Sequence, residues 1–237
     1  MRVLVTGAAG RIGSTVINGL KHKYEFRGLD VAPMPNLKDS IVGSSNDWAT
    51  VEKAMPGVDT VIHLSNNGPE WEQAKQSMIA TYNVYELAAR NGVKHIAFAS
   101  RAGLLPRSYY PRTMTRTADL LPRPDSYYSI TKSFGEAMGD MYSAKHGISI
   151  VSVRIGNFSL ERDKPADPHH LSHGDCVRLW DAAISYNGGK HVRVFGVSDS
   201  NWPVYDLDHG RKTIGYYPQD KSIVPKELQV DDPPKKK

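Results

Sequence analysis

Tyr128 and Lys132 stand four residues apart, and on a helix that spacing puts both side chains on one face. A phenol beside an ammonium can draw a proton from a hydroxyl. The cation favours the phenolate and brings an ordinary phenolic pKa of about 10 nearer to neutrality. Spacing alone does not select this pair, because Tyr186/Lys190 and Tyr217/Lys221 repeat it. Only Tyr128/Lys132 falls in a long helical stretch between two strand-like runs. A second cluster is Gly7-Ala-Ala-Gly10-Arg11-Ile12-Gly13, which directly follows the apolar run Arg2–Thr6. Glycines there allow a tight turn, a close backbone approach to a pyrophosphate, and packing of the next helix on its strand. The helix start then offers free N–H groups and a positive dipole end to phosphates. Asp30 ends the next strand-like run. A carboxylate there accepts hydrogen bonds from adenosine ribose hydroxyls and repels a 2′-phosphate, which favours NAD over NADP.

Holding these groups together takes alternating strands and helices. The apolar pattern predicts a helix from Arg11 to His22, a strand Phe26–Val31, a short helix Trp48–Met55 and a strand Asp59–His63. A helix Trp71–Asn91 stops at Asn91-Gly92 and is followed by a strand Lys94–Ser100. Next come a loop rich in Arg, Pro and Tyr (101–125), a long helix Ser126–His146 closed by Gly147, and a strand Ile148–Arg154. This order predicts an α/β fold, a Rossmann-type doubly wound parallel sheet with a small C-terminal substrate lobe. Beyond Gly156 the pattern loosens into a loop Glu161–His170, a helix Ser172–Tyr186, a strand Val192–Phe195 and a short helix Leu207–Ile214. Residues 1–229 are read as a single NAD-binding domain, with the substrate lobe drawn mainly from 157–229. Residues 230–237 are read as a disordered basic tail.

The 237 residues carry a formal charge of +5, part of it in Lys235–Lys237, and the remainder reads as a solvated mixed surface rather than a nucleic-acid footprint. Tyr109, Tyr110, Arg107 and Arg112 are read as a substrate-covering loop rather than a stacking platform. Cys176 is the only cysteine, so an intrachain disulfide is impossible. No apolar run is long enough to span a bilayer, and the N-terminus enters a strand without signal-peptide organisation, so the expectation is a cytoplasmic protein without membrane contact. His169, His170 and His173 invite a metal reading, but no carboxylate cluster completes a ligand set and no metal is expected. Ser172 with Asp175 reads as a helix cap.

Taken together, these residues resemble the extended short-chain dehydrogenase/reductase (NAD-dependent epimerase/dehydratase) family, from Val3 to about Ser222. Within it the chain is most similar to uronate dehydrogenases and archaeal NAD-dependent glucose-6-phosphate dehydrogenases. The supporting segments include Val5–Gly13, His63-Leu64, Phe98-Ala-Ser100, Tyr128–Lys132, Phe134-Gly-Glu136, Val153–Asn157, Leu171–Asp175, Phe195–Asp199 and Gly215–Asp220. The resemblance implies an oxidoreductase passing hydride to NAD from a hydroxyl, the anomeric one in those relatives, of a sugar, sugar acid or sugar phosphate. It makes Tyr128 the general base and Lys132 its activator and ribose anchor, with Ser100 or Arg101 as the polarising group. The cofactor contacts it implies are Gly7, Gly10, Arg11, Ile12, Gly13, Asp30, His63, Leu64 and Lys132. Relatives often pair through helices corresponding to Trp71–Asn91 and Ser126–His146, which implies a homodimer.

The chain departs from the family pattern at several positions. Arg101 stands where the family has its catalytic serine, and Ala102 and Gly103 replace polar substrate contacts. Met78 takes a position that usually holds Asn, and Ser44 stands where an adenine-contacting Asp is common, with Asp47 three residues on. In the loop before Leu171 the nearest cations for a substrate carboxylate are Lys164 and Arg162. Arg101 has two readings. Its guanidinium could polarise a carbonyl or bind a phosphate or carboxylate bidentately, or the hydroxyl has been lost in drift to a weak or different activity. Two alternatives to the dehydrogenase stay open: a same-family epimerase or dehydratase, and a non-catalytic NAD-binding redox sensor.

Overall fold

Val3, Leu4 and Val5 are all fully buried, as expected of a strand covered on both faces. In the computed structural model, which describes residues 1–161 and 166–230, that strand is β1 (Arg2–Thr6), an inner strand of a seven-stranded sheet. The others are β2 (Glu25–Asp30), β3 (Ser40–Val42), β4 (Thr60–His63), β5 (His95–Arg101), β6 (Ser149–Ile155) and β7 (His191–Gly196). Every pairing is parallel, in the spatial order β3-β2-β1-β4-β5-β6-β7. The order reverses between β1 and β4, and a crevice opens at the carboxyl ends of those strands.

The helices form two layers, and the strand side chains alternate between them. On one side, α1 (Arg11–Leu20) and α5 (His173–Ser185) meet Val3 and Val5 of β1 and Ala97 and Ala99 of β5. On the other, α2 (Trp48–Ala54), α3 (Trp71–Arg90) and α4 (Tyr127–His146) cover Leu4, Ile96 and Phe98. The caps are local and legible. Ser126 accepts from the Ser129 amide to start α4, Gly147 (φ 66°) ends it, and Ser172 accepts from the Asp175 amide to start α5.

The segment after Gly156, read from sequence as a substrate lobe, divides between two places. Helix α5 and strand β7 complete the main body. The outer layer is built from β8 (Asp199–Ser200), α6 (Asp208–Ile214), β9 (Lys221–Ser222) and the loop before α4. Buried Arg116 ties that loop down: its guanidinium donates to the Tyr110 carbonyl, and its backbone bridges Val204 and Asp206. The Lys164 and Arg162 candidates lie outside the described residues, as do residues 231–237 of the expected tail.

Candidate active site

The glycine turn between β1 and α1 is drawn in so far that Gly7 and Gly13 leave no room for a side chain. Gly7 has a φ of 72°, and a Cβ there would come within 2.9 Å of the Ser65 amide nitrogen. At Gly13 a Cβ would sit 2.4 Å from the Gly7 carbonyl oxygen. Asp30, at the end of β2, fixes the turn from the side: one carboxylate oxygen accepts from the Ala9 amide (3.0 Å), the other from the Ala32 amide (2.9 Å).

A cleft of about 860 Å³ starts at this turn, with Gly7, Gly10, Arg11, Ile12 and Gly13 along one wall. Leu64 and Asn66 follow β4, and Ala99 to Ala102 run through the carboxyl end of β5. Tyr128 and Lys132 face in from α4, while Asn157, Phe158, His169 and Tyr205 close the far end. A second chamber of about 220 Å³ shares Gly7, Gly10, Leu64 and Asn66 with the cleft and continues to Asp30, Ser44 and Ser45. The two chambers together follow the crevice of the sheet, one at each side of the turn. Asp47, the other acid near Ser44, is taken up capping α2 through Thr50.

Lys132 is only 4% exposed, and its ammonium lies over the rings of Phe98 (5.2 Å) and Tyr128 (5.4 Å). Among the described residues none accepts a hydrogen bond from it. Burial, reinforced by the Arg101 guanidinium, pulls its pKa down to about 8. Burial also pushes the Tyr128 phenol up, and the Arg101 charge acts against that. A buried cation with no acceptor among the described residues, beside a backbone turn too tight for a Cβ at Gly7 and Gly13, fits a ligand that brings hydroxyls to one and a pyrophosphate to the other.

Two side chains expected at the site have their hydrogen-bonding groups committed elsewhere. The Ser100 hydroxyl donates to Glu136 Oε1 (2.7 Å) inside a buried cluster, and one step along β5 reverses the side chain relative to Arg101. Its single proton is therefore committed to a carboxylate. His63 lies beneath the cleft: Nδ1 pairs with Thr6 Oγ1 (2.7 Å) and Nε2 with Thr81 Oγ1 (3.1 Å). Burial, with Lys132 adding to it, holds that ring down to about 3, so it is neutral. Leu64, the next residue, lines both chambers.

Arg101 does face the cleft. Its guanidinium carbon is 5.1 Å from the Tyr128 ring centroid, and Nη1 donates to Ser129 Oγ (3.0 Å). Behind Ser100, Glu136 is gripped by Arg154 through Nε (2.9 Å) and Nη2 (2.8 Å), and by Arg193 Nε (3.0 Å). At the far end His169 pairs with the Tyr205 hydroxyl (2.7 Å). Burial leads in pulling His169 down to about 4, with Asp167 opposing it and Arg112, Arg116 and Arg107 adding to it. Sequence reading did not single out Asn66, Asn157, Phe158 or Tyr205 as lining residues. Asn66 and Asn157 follow the carboxyl ends of β4 and β6, where a parallel sheet opens, so that rule points to them. Tyr205 has no local signal; the returning chain brings it in. Among the described residues no helix is long and apolar enough to cross a membrane, and no cluster of His, Cys, Asp and Glu could hold a metal ion.

The model of the NAD dependent epimerase/dehydratase family matches residues 3–198. The NAD-dependent glucose-6-phosphate dehydrogenase of Haloferax volcanii is 34% identical over 93% of this chain and 94% of its own length. A uronate dehydrogenase of Pseudomonas syringae is 33% identical over 94% and 83%. Among solved structures, uronate dehydrogenase from Agrobacterium tumefaciens superposes with a TM-score of 0.83 at 31% identity, covering 93% of this chain and 85% of that one. A mutant of that enzyme complexed with NAD gives a TM-score of 0.84 at 30% identity, with the same coverage.

Proposed function

The chain belongs to the NAD-dependent epimerase/dehydratase family, and from that premise we propose that it is an NAD-dependent sugar dehydrogenase. It removes hydride from a hydroxyl-bearing carbon, the anomeric one, of a sugar, sugar acid or sugar phosphate, with Tyr128 as the base. One observation carries this reading: Tyr128 and the buried ammonium of Lys132 face the same cleft as the glycine turn. Relatives described as uronate, glucose-6-phosphate and L-arabinose dehydrogenases, at 29–34% identity over more than nine-tenths of the chain, support the substrate class.

When bound, NAD supplies the hydride acceptor. Gly7, Gly10, Arg11, Ile12 and Gly13 hold its pyrophosphate with backbone N–H groups and the start of α1, and Asp30 receives the adenosine ribose. Lys132 donates to the nicotinamide ribose hydroxyls. Tyr128 Oη takes the proton of the reacting hydroxyl, and a donor at the end of β5 meets the oxygen as it sheds that proton. The wall from Asn157 to His169 and Tyr205 holds the remainder of the sugar. Two chains pair through the outward faces of α3 and α4, where Ile79, Tyr82, Ile130 and Met141 stand exposed.

The test is formation of free NADH from NAD across neutral aldoses, uronates and sugar phosphates. Tyr128→Phe is expected to lower turnover by about 10²–10⁴-fold while leaving NAD affinity within a factor of about two. Unchanged turnover in that variant would remove Tyr128 from the chemistry. Silence across the panel with NAD binding intact would favour the cofactor-sensing alternative.

A further inference from the structure

We propose that Gly103 and Ser129 are positioning residues that seat the Arg101 guanidinium against Tyr128, where it replaces a hydroxyl as the donor to the reacting oxygen. The inference rests on the reading of Tyr128 as the base. Arg101 is the last residue of β5, and the hydroxyl of its neighbour Ser100 is spent on Glu136. The guanidinium is confined on three sides. The Tyr128 ring lies under it, and Nη1 donates to Ser129 Oγ, which itself donates to Asp125 Oδ1 (2.6 Å). The third side is Gly103, where a Cβ would lie 2.3 Å from Nη2, 2.6 Å from Nε and 2.7 Å from Cζ.

That third contact explains the glycine. Gly103 is not among the residues with positive φ, so its backbone is open to any L-residue. What a side chain would displace is the guanidinium and not the main chain. The arginine and the glycine two residues later thus form one device: the glycine leaves the space that the arginine fills. A long side chain retained by drift would be free to swing to solvent, whereas this one is half-buried and held over the ring of the base. Nε and Nη2 donate to none of the described residues, which leaves N–H groups for an incoming oxygen.

In the reaction the substrate O–H bond breaks and its proton passes to the Tyr128 phenolate. The C–H bond breaks with both electrons leaving as hydride to the oxidised nicotinamide dinucleotide, and a carbonyl forms. Negative charge on the oxygen rises as the proton leaves, and a fixed guanidinium meets that charge without reorganising. The same cation over the ring favours the phenolate before substrate binds.

The experiment is a double-mutant cycle of Gly103→Ala and Arg101→Met, read by kcat, KM and the ionisation of Tyr128. Ionisation is followed by NMR on isotope-labelled tyrosine in the ligand-free protein, with the signal assigned by its loss in Tyr128→Phe. We expect Gly103→Ala to lower kcat on the order of 10²-fold at nearly constant KM, and to move Tyr128 ionisation to higher pH. In the Arg101→Met background the same change should alter neither by more than about twofold. Ser129→Ala should act in the same direction as Gly103→Ala. Equal losses in both backgrounds, or an ionisation unmoved by Gly103→Ala, would overturn the proposal. Because the ionisation is read without substrate, it decides the seating even if Tyr128→Phe shows that the base lies elsewhere.

Discussion

Lys132 keeps an ammonium in a place where, among the described residues, the ligand-free fold offers it aromatic faces but no hydrogen-bond acceptor. Holding its pKa at about 8 rather than 10.5 costs ~3 kcal/mol of stability. The sign follows from proton binding. Below pH 8 the lysine is charged in both states and the cost is full. Between pH 8 and 10.5 the unfolded chain binds the extra proton, and the cost fades. Lys132→Met is therefore expected to melt roughly 5–10 °C higher than the parent at pH 7, with the gap closing towards pH 10.5, and to bind NADH more weakly. Equal melting temperatures at pH 7 would mean that the ammonium is solvated after all. The pairing of Tyr128 with Lys132 was legible in the sequence because it depends only on helical spacing. The choice between Ser100 and Arg101, and the setting of His63, were not, because they turn on which way a side chain leaves a strand end. One residue of register separates a hydroxyl in the cleft from one buried on Glu136, and sequence does not show that both nitrogens of His63 are already occupied.

Helix α4 is held to the sheet by charge as well as by apolar packing. Glu136, on its buried face, joins Ser100 of β5, Arg154 of β6 and Arg193 of β7, so one carboxylate fastens three adjacent strands. Burial acts to raise its pKa, but Arg154, Ser100 and Arg193 more than offset this and hold the carboxyl below its usual range. Glu136→Gln should cost about 3 kcal/mol in urea unfolding near neutrality, because it leaves buried guanidinium groups without their counter-charge. The ion pairs' contribution is present above the unfolded-state pKa and is lost as pH falls through the lower folded-state value, so the two proteins should converge in acid. A constant difference down to acid pH would assign the loss to packing instead. At this scale most elements announced themselves through apolar periodicity and caps, as α4 did with Ser126 and Gly147. Strand β3 did not: Ser40-Ile-Val42 is three residues long at the sheet edge with no buried position, too short to show a period. Helix α5 was visible from its cap, but its place beside α1 and behind β5 is set by tertiary packing alone.

Across the whole molecule, the layer formed by α3 and α4 has an outward stripe containing Ile79, Tyr82, Ile130 and Met141, each 41–48% exposed. If two copies join there, the parent should sediment at twice the chain mass, and Ile130→Lys combined with Met141→Lys should sediment as a monomer. A parent that is already monomeric would remove the pairing from the proposal. The opposite layer has a different history. Helix α1 follows the glycine turn, and its inner residues Val16 and Leu20 share a core with Leu179, Trp180 and Ala183 of α5. Gly19 lies against Val177, and Lys23, just past the helix, reaches Asp181, 158 residues further along the chain. Translation delivers these partners in order, at about 5–20 residues per second. The apolar side of α1 thus leaves the ribosome roughly 10–30 s ahead of the helix that covers it, and needs shielding in the interval. The dinucleotide turn is thus made well before the helix that completes the layer behind it.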